Sequence, residues 1–98
     1  MIARLWRGLA RAERAADYVR HLRTATFPAL ARLPGFVDSS ILSRRLPAGI
    51  EFLIVTRWES LAAITRFAGP EPQRAVVPEE VAQMMLEYDE LATHFKVL

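Results

Sequence analysis

His21 and His94 are the only two histidines in this sequence, and histidine is the side chain that titrates nearest neutral pH. They are the natural general bases for taking a proton from an activated carbon or a phenol. They lie far apart in sequence with no third ligand at metal-binding spacing, so no metal site is expected. Each also has a plainer reading: His21 sits one step from Leu22 at the border of an apolar stripe, and His94 shares a strand parity with Lys96 on what should be the wetter face. Four aromatics, Trp6, Tyr18, Trp58 and Tyr88, could line a pocket for a flat ring, with an indole N–H or a phenol O–H as the directional bond, or could simply be core. Arg4 and Arg57 could grip a substrate carboxylate in forked geometry, yet Glu51 and Glu59 are near enough in sequence to neutralise them, and ion pairing is the expectation. Glu87, Asp89 and Glu90 read as a solvated turn. No Gly-x-Ser-x-Gly elbow, glycine-rich phosphate loop or His-Glu-x-x-His helix occurs, which leaves hydrolase, nucleotide-binding and metalloprotease readings without support.

These residues must be positioned by elements whose periods can be read. Residues 2–9 alternate well enough for a strand, with Arg4 and Trp6 on one parity. Tyr18, Val19, Leu22, Thr26, Ala29, Leu30 and Leu33 then recur at helical spacing, and Pro28 inside that stripe should kink or end the helix near Phe27. Residues 36–46 and 50–58 read as two strands of a hairpin joined by Pro47-Ala48-Gly49. The second is apolar on both parities: Ile50, Phe52, Ile54 and Trp58 against Leu53 and Val55. Ser60 should cap a short helix stopped by Gly69 and Pro70. Pro78, Glu79 and Glu80 should open another, with Val81, Met84 and Met85 inward. Residues 91–98 alternate as a closing strand. Strand, helix, strand, strand, helical segment, strand is the order of a ferredoxin-like split βαβ sandwich, an α+β fold with a four-stranded antiparallel sheet and helices on one face.

Composition narrows the classes further. The 98 residues, 52% hydrophobic and 24% charged, suit one folded domain spanning 1–98. Cysteine is absent, which removes disulfides, thiolate nucleophiles and iron–sulfur sites. A net charge of +2 with the arginines dispersed makes no basic stripe, and residues 50–55 of the third strand offer one aromatic and a carboxylate, so nucleic acid is not an expected partner. Neither a secretory leader nor a membrane span is read, and the cytoplasm is the expected compartment. Helices cover only one face of such a sheet, so the apolar outer face of residues 50–58 calls for a homodimer packed through the sheet.

The run Trp58-Glu59-Ser60-Leu61-Ala62-Ala63-Ile64, with Phe67-Ala68-Gly69, Ala75-Val76 and Pro78-Glu79, resembles the antibiotic biosynthesis monooxygenase-like family. Ile2 to Trp6 and Thr93 to Leu98 are similar to its terminal strands. The resemblance implies a dimeric α+β barrel and a pocket in each subunit between sheet and helices. It implies either cofactor-free oxygenation of aromatic compounds or haem degradation. The haem degraders use an Asn on the first strand, a Trp on the helix after the third strand and a His beyond it. Here those places hold Trp6, Phe67 and no histidine within residues 73–78, and the chain has no Asn at all. Haem degradation and Asn-dependent oxygenation are therefore not expected. The expected function is a cofactor-independent monooxygenase-like protein acting on a small, aromatic compound, or an isomerase. His94, His21 and Trp6 would be catalytic, Tyr18, Trp58, Phe67 and Tyr88 would bind substrate, and neither cofactor nor metal is required. The alternative is a non-catalytic, small-ligand-binding or stress-associated dimer. The enzyme reading requires a cavity bordered by Trp6 and at least one histidine.

Overall fold

Strand β1 (Ile2–Ala10) runs through the middle of an antiparallel sheet, with β3 (Ile50–Trp58) along one edge for its whole length, in a computed structural model that describes residues 1–98. β2 (Phe36–Arg45) pairs with the far side of β3. The hairpin between them turns at Leu46 and Gly49, which exchange backbone hydrogen bonds. Along the other edge of β1 lie two short strands, β4 (Met85–Tyr88) against its C-terminal half and β5 (Thr93–Lys96) against its N-terminal half. The fold is thus α+β and ferredoxin-like, as expected, with its fourth lane divided between two strands. The break falls where the Asp89 N–H bonds the Arg7 carbonyl and where residues 73–75 attach, through Ala75 N–H to Glu90 and Ala92 N–H to Gln73.

All helices lie on one face. Residues 12–31 form a continuous helical run: a 3₁₀ turn, α1 (Ala15–His21), a π turn over Leu22–Thr26, and α2 (Phe27–Ala31). Pro28 does not end it. It falls in the first turn of α2, where the N–H it lacks is least missed, and the wider π turn precedes it. α3 (Leu61–Ala68) starts at Ser60, whose Oγ accepts from the Ala63 N–H at 3.2 Å, and stops at Gly69 with φ near +90°. α4 (Glu79–Ala82) is shorter than the sequence implies: Met84 lies beyond it and Met85 opens β4, both still buried. No helix is long and apolar enough to cross a membrane.

The parity of β3 divides the molecule. Phe52, Ile54, Thr56 and Trp58 are buried under the helices, while Glu51, Leu53, Val55 and Arg57 face outward and are partly exposed. Two buried clusters form beneath the helices, one around Tyr18, Leu22, Phe52 and Val81, the other around Leu30, Trp58, Ala63 and Ile64. Between them lies open space.

Candidate functional site

That space is a cavity of about 410 Å³ between the sheet and the helical run, walled mostly by apolar side chains. The sheet contributes Arg4 and Trp6 from β1 and Ile54 and Thr56 from β3. The helical run contributes Tyr18, Leu22, Phe27 and Leu30, and α3 closes one end with Arg66 and Phe67. Ala75, Val76 and Pro78 complete the wall from the segment that crosses to α4.

Of the residues singled out from sequence, the cavity brings together Arg4, Trp6, Tyr18 and Phe67. The Trp6 ring lies 6.4 Å from Tyr18 and 6.1 Å from Tyr88, and its Nε1–H donates to the Asp89 carbonyl at 2.7 Å. Tyr18 is buried, which pushes its phenol well above the ordinary value, so it stays protonated and able to donate. Trp58 does not reach the cavity. It is fully buried, stacks on Phe67 at 5.8 Å, meets Phe36 edge-on at 5.2 Å and gives its indole N–H to Thr56 Oγ1 at 2.9 Å. It thereby holds two wall residues, and Tyr88 likewise stands behind Trp6 outside the lining.

Trp6 borders the cavity but neither His21 nor His94 does, so the condition placed on the enzyme reading, Trp6 together with a histidine, is not met. His21, its side chain mostly buried, approaches Glu80 of α4, with Nδ1 3.9 Å from the carboxylate. His94 lies opposite Arg4 in the β1–β5 register, and its Nε2 is 2.8 Å from Arg4 Nη1. A guanidinium has only donors, so this Nε2 must accept, which fixes the neutral ring with its proton on Nδ1. Burial first, and the Arg4 charge second, lower the His94 pKa from its ordinary value. On β5 only His94 is half-buried; Lys96 on the same parity is exposed, as is Phe95 on the other at 54%.

Arg4 is the residue the sequence reading undervalued. Expected to be paired with an acid, it is 5% exposed and has no carboxylate within 4.0 Å. Glu51 is taken instead by Arg7 and Arg44, and Arg57 by Asp38. Arg4 donates to the carbonyls of Pro72 and Arg74, the second at 3.0 Å, and its Cζ sits 5.7 Å from the centre of the Phe67 ring. Burial lowers its pKa, though a guanidinium remains charged at neutral pH. Its shared parity with Trp6 was the available signal, since helices cover that face. Thr56 carried the same signal, sharing the inward parity of β3 with Ile54 and Trp58, and was passed over; Arg66 gave none, because its place in the wall depends on how α3 docks. Glu87, taken for a solvated turn, lies on β4 and reaches Arg7 at 3.4 Å.

The sheet, the helices on one face and the cavity between them define an α+β, ferredoxin-like protein with an internal cavity. No family model and no curated protein matches the chain by sequence. Among solved structures, it shares its fold with a variant of SnoaB, a cofactor-independent oxygenase from Streptomyces nogalater, at TM-score 0.67 and 20% identity over 98% of this chain and 91% of that one. It is similar to a candidate antibiotic biosynthesis monooxygenase from Deinococcus radiodurans, at TM-score 0.65 and 19% identity over 99% and 92%. It is similar also to MhuD, a haem degrader from Mycobacterium tuberculosis with two haems in its active site, at TM-score 0.60 and 18% identity over 100% and 96%. These are proteins of the family whose strand ends and helix starts the sequence resembles. At such identities the likeness is one of fold.

Proposed function

We propose that residues 1–98 act as one domain of a homodimeric, cytoplasmic, cofactor-independent monooxygenase-like protein whose substrate is a small aromatic compound. The observation that carries this reading is the cavity of about 410 Å³ with Trp6, Tyr18 and Phe67 around an apolar interior. Pockets for compact organic ligands span roughly 300–1,000 Å³, and aromatic walls favour flat rings. Oxygenation without flavin or metal needs a substrate that can give electrons to dioxygen itself, as a phenolate or a stabilised carbanion. For a ring CH₂ so activated, dioxygen supplies the oxygen of a new carbonyl, and its second atom leaves as water with the two hydrogens. The histidine-based mechanism expected from the sequence fails, since no histidine contacts this space, and the oxygenase reading stands only in a form where deprotonation rests on the acidity of the substrate. His94 takes part as a positioning residue, through Arg4.

The lack of a side-chain base in the wall also favours a second reading, a non-catalytic binder of the same compounds. The two separate when purified protein is given polycyclic phenols and quinols in flavin-free, metal-free buffer while oxygen uptake and tryptophan emission are followed. Protein-dependent uptake supports the oxygenase. Quenched emission without uptake supports the binder, and the absence of both overturns the pocket as a ligand site. Turnover unaltered by His94→Ala would remove His94 from the mechanism.

A further inference from the structure

Resting on the reading of the cavity as an aromatic-ligand site, we infer that Arg4 makes it selective for anions: aromatic compounds carrying a carboxylate or an ionised hydroxyl, seated with the charge toward β1 and the rings toward Trp6 and Phe67. A buried cation without a counter-charge is costly, and proteins rarely keep one without a use for it. Arg4 is 95% buried, and its partners in the chain are two carbonyls and a neutral imidazole. Holding the 72–74 segment to the sheet accounts for the hydrogen bonds but not for the charge, since a neutral donor would serve.

The guanidinium also has capacity to spare. Of five N–H groups, three are engaged, and Nε is not. No fully buried side-chain nitrogen or oxygen lacks a partner, so this free Nε keeps access to solvent, and the Arg4 side chain borders the cavity. The Tyr18 hydroxyl, bonded to nothing in the chain, is open by the same argument and stays a donor. A second arginine, Arg66, stands exposed in the wall with no acid beside it. No Asp or Glu lines the cavity. Two cations, a phenol donor and no acid around an apolar interior suit an amphipathic anion and disfavour a neutral or cationic ligand.

The test compares 2-naphthoate with 2-naphthamide, close in shape and differing in charge, by calorimetric titration of the wild-type protein. The carboxylate is expected to bind at least about tenfold more tightly, as charge-assisted hydrogen bonds in a desolvated site imply. Arg4→Gln should remove the preference, so that carboxylate and amide bind that variant equally, and Arg4→Lys should keep part of the preference. Equal affinities in the wild type overturn the inference while leaving the aromatic site standing; binding of neither overturns both. A preference that survives Arg4→Gln and vanishes in Arg66→Gln overturns the assignment to Arg4. Should Arg4→Gln fail to fold, the wild-type comparison and Arg66→Gln still decide.

Discussion

His94 can only accept from Arg4 while it is neutral, and this ties stability to pH in a definite direction. The unfolded chain gives the ring its ordinary value of about 6.5, and the fold lowers it by burial and by the Arg4 charge. Above that value both states leave the ring neutral, and the hydrogen bond's contribution is fully present. As pH falls, the unfolded state takes a proton that the folded state resists, so stability declines until the folded value is passed. Thermal unfolding followed from pH 7.5 to 5 should show the midpoint falling below about pH 6.5, and His94→Gln, which keeps an acceptor without the titration, should flatten that decline. A wild-type midpoint constant across the range would break the link between His94 and Arg4. At this scale the sequence was legible as far as parity: Arg4, Trp6 and the partition of β1 follow from alternation. The acid each arginine would find was not legible, because Asp38, Glu51 and Glu87 meet their partners through strand register.

Elements set the walls of the cavity through a few tight approaches. On β1, Gly8 follows Trp6 on the same parity, and a Cβ there would come 2.7 Å from Trp6 Cη2 and 3.0 Å from Met85 Sδ. The indole lies over the backbone because Gly8 leaves room for it. Gly8→Ala should displace the ring, strain its bond to the Asp89 carbonyl and cost about 1–3 kcal/mol, as overpacking does. The expected signature is shifted tryptophan emission and weaker ligand binding with the far-ultraviolet dichroism of the sheet retained. Gly69→Ala supplies the contrast: its Cβ would meet nothing within 4 Å, but φ near +90° strains any L side chain, so stability should fall with Trp6 undisturbed. Strong local signals carried through to these elements: the two-sided apolar run of β3, the Ser60 cap and the glycine stop of α3 stand where the spacing puts them. Weak ones did not. Val81, Met84 and Met85 suit a helix by spacing, yet β1 offers Ala10 an edge partner and draws Met85 into β4. The split of the fourth lane is a tertiary event, made by the 73–75 segment bonding residues 90–92.

The whole molecule leaves one face of its sheet uncovered. Leu5, Leu53 and Val55 lie there half-exposed beside Leu42, 49% exposed, and Phe95, while Pro72 and Arg74 are tied to Arg4 on the cavity side. The charges on that face largely satisfy one another. Glu51 receives Arg7 and Arg44, each at 2.5 Å, and these bonds, Arg44's first, hold its carboxyl below the usual range. An apolar centre bordered by internally paired charges is a surface that a second copy can cover without stranding a charge. Stable pairs bury about 1,200–2,000 Å² in total, and the open sheet face is where these half-exposed apolar side chains gather. The contact expected for the proposed homodimer is sheet to sheet across a two-fold axis, with Leu53 and Val55 facing their own counterparts. Sedimentation equilibrium at micromolar concentration should give twice the 11.1 kDa chain mass. Val55→Glu would bring two like charges into a desolvated contact and should yield folded monomers with unchanged dichroism, whereas Leu61→Glu, exposed on α3 across the molecule, should stay dimeric. A wild-type chain that sediments as a monomer, or a Val55→Glu dimer as tight as the wild type, would place the subunit contact elsewhere.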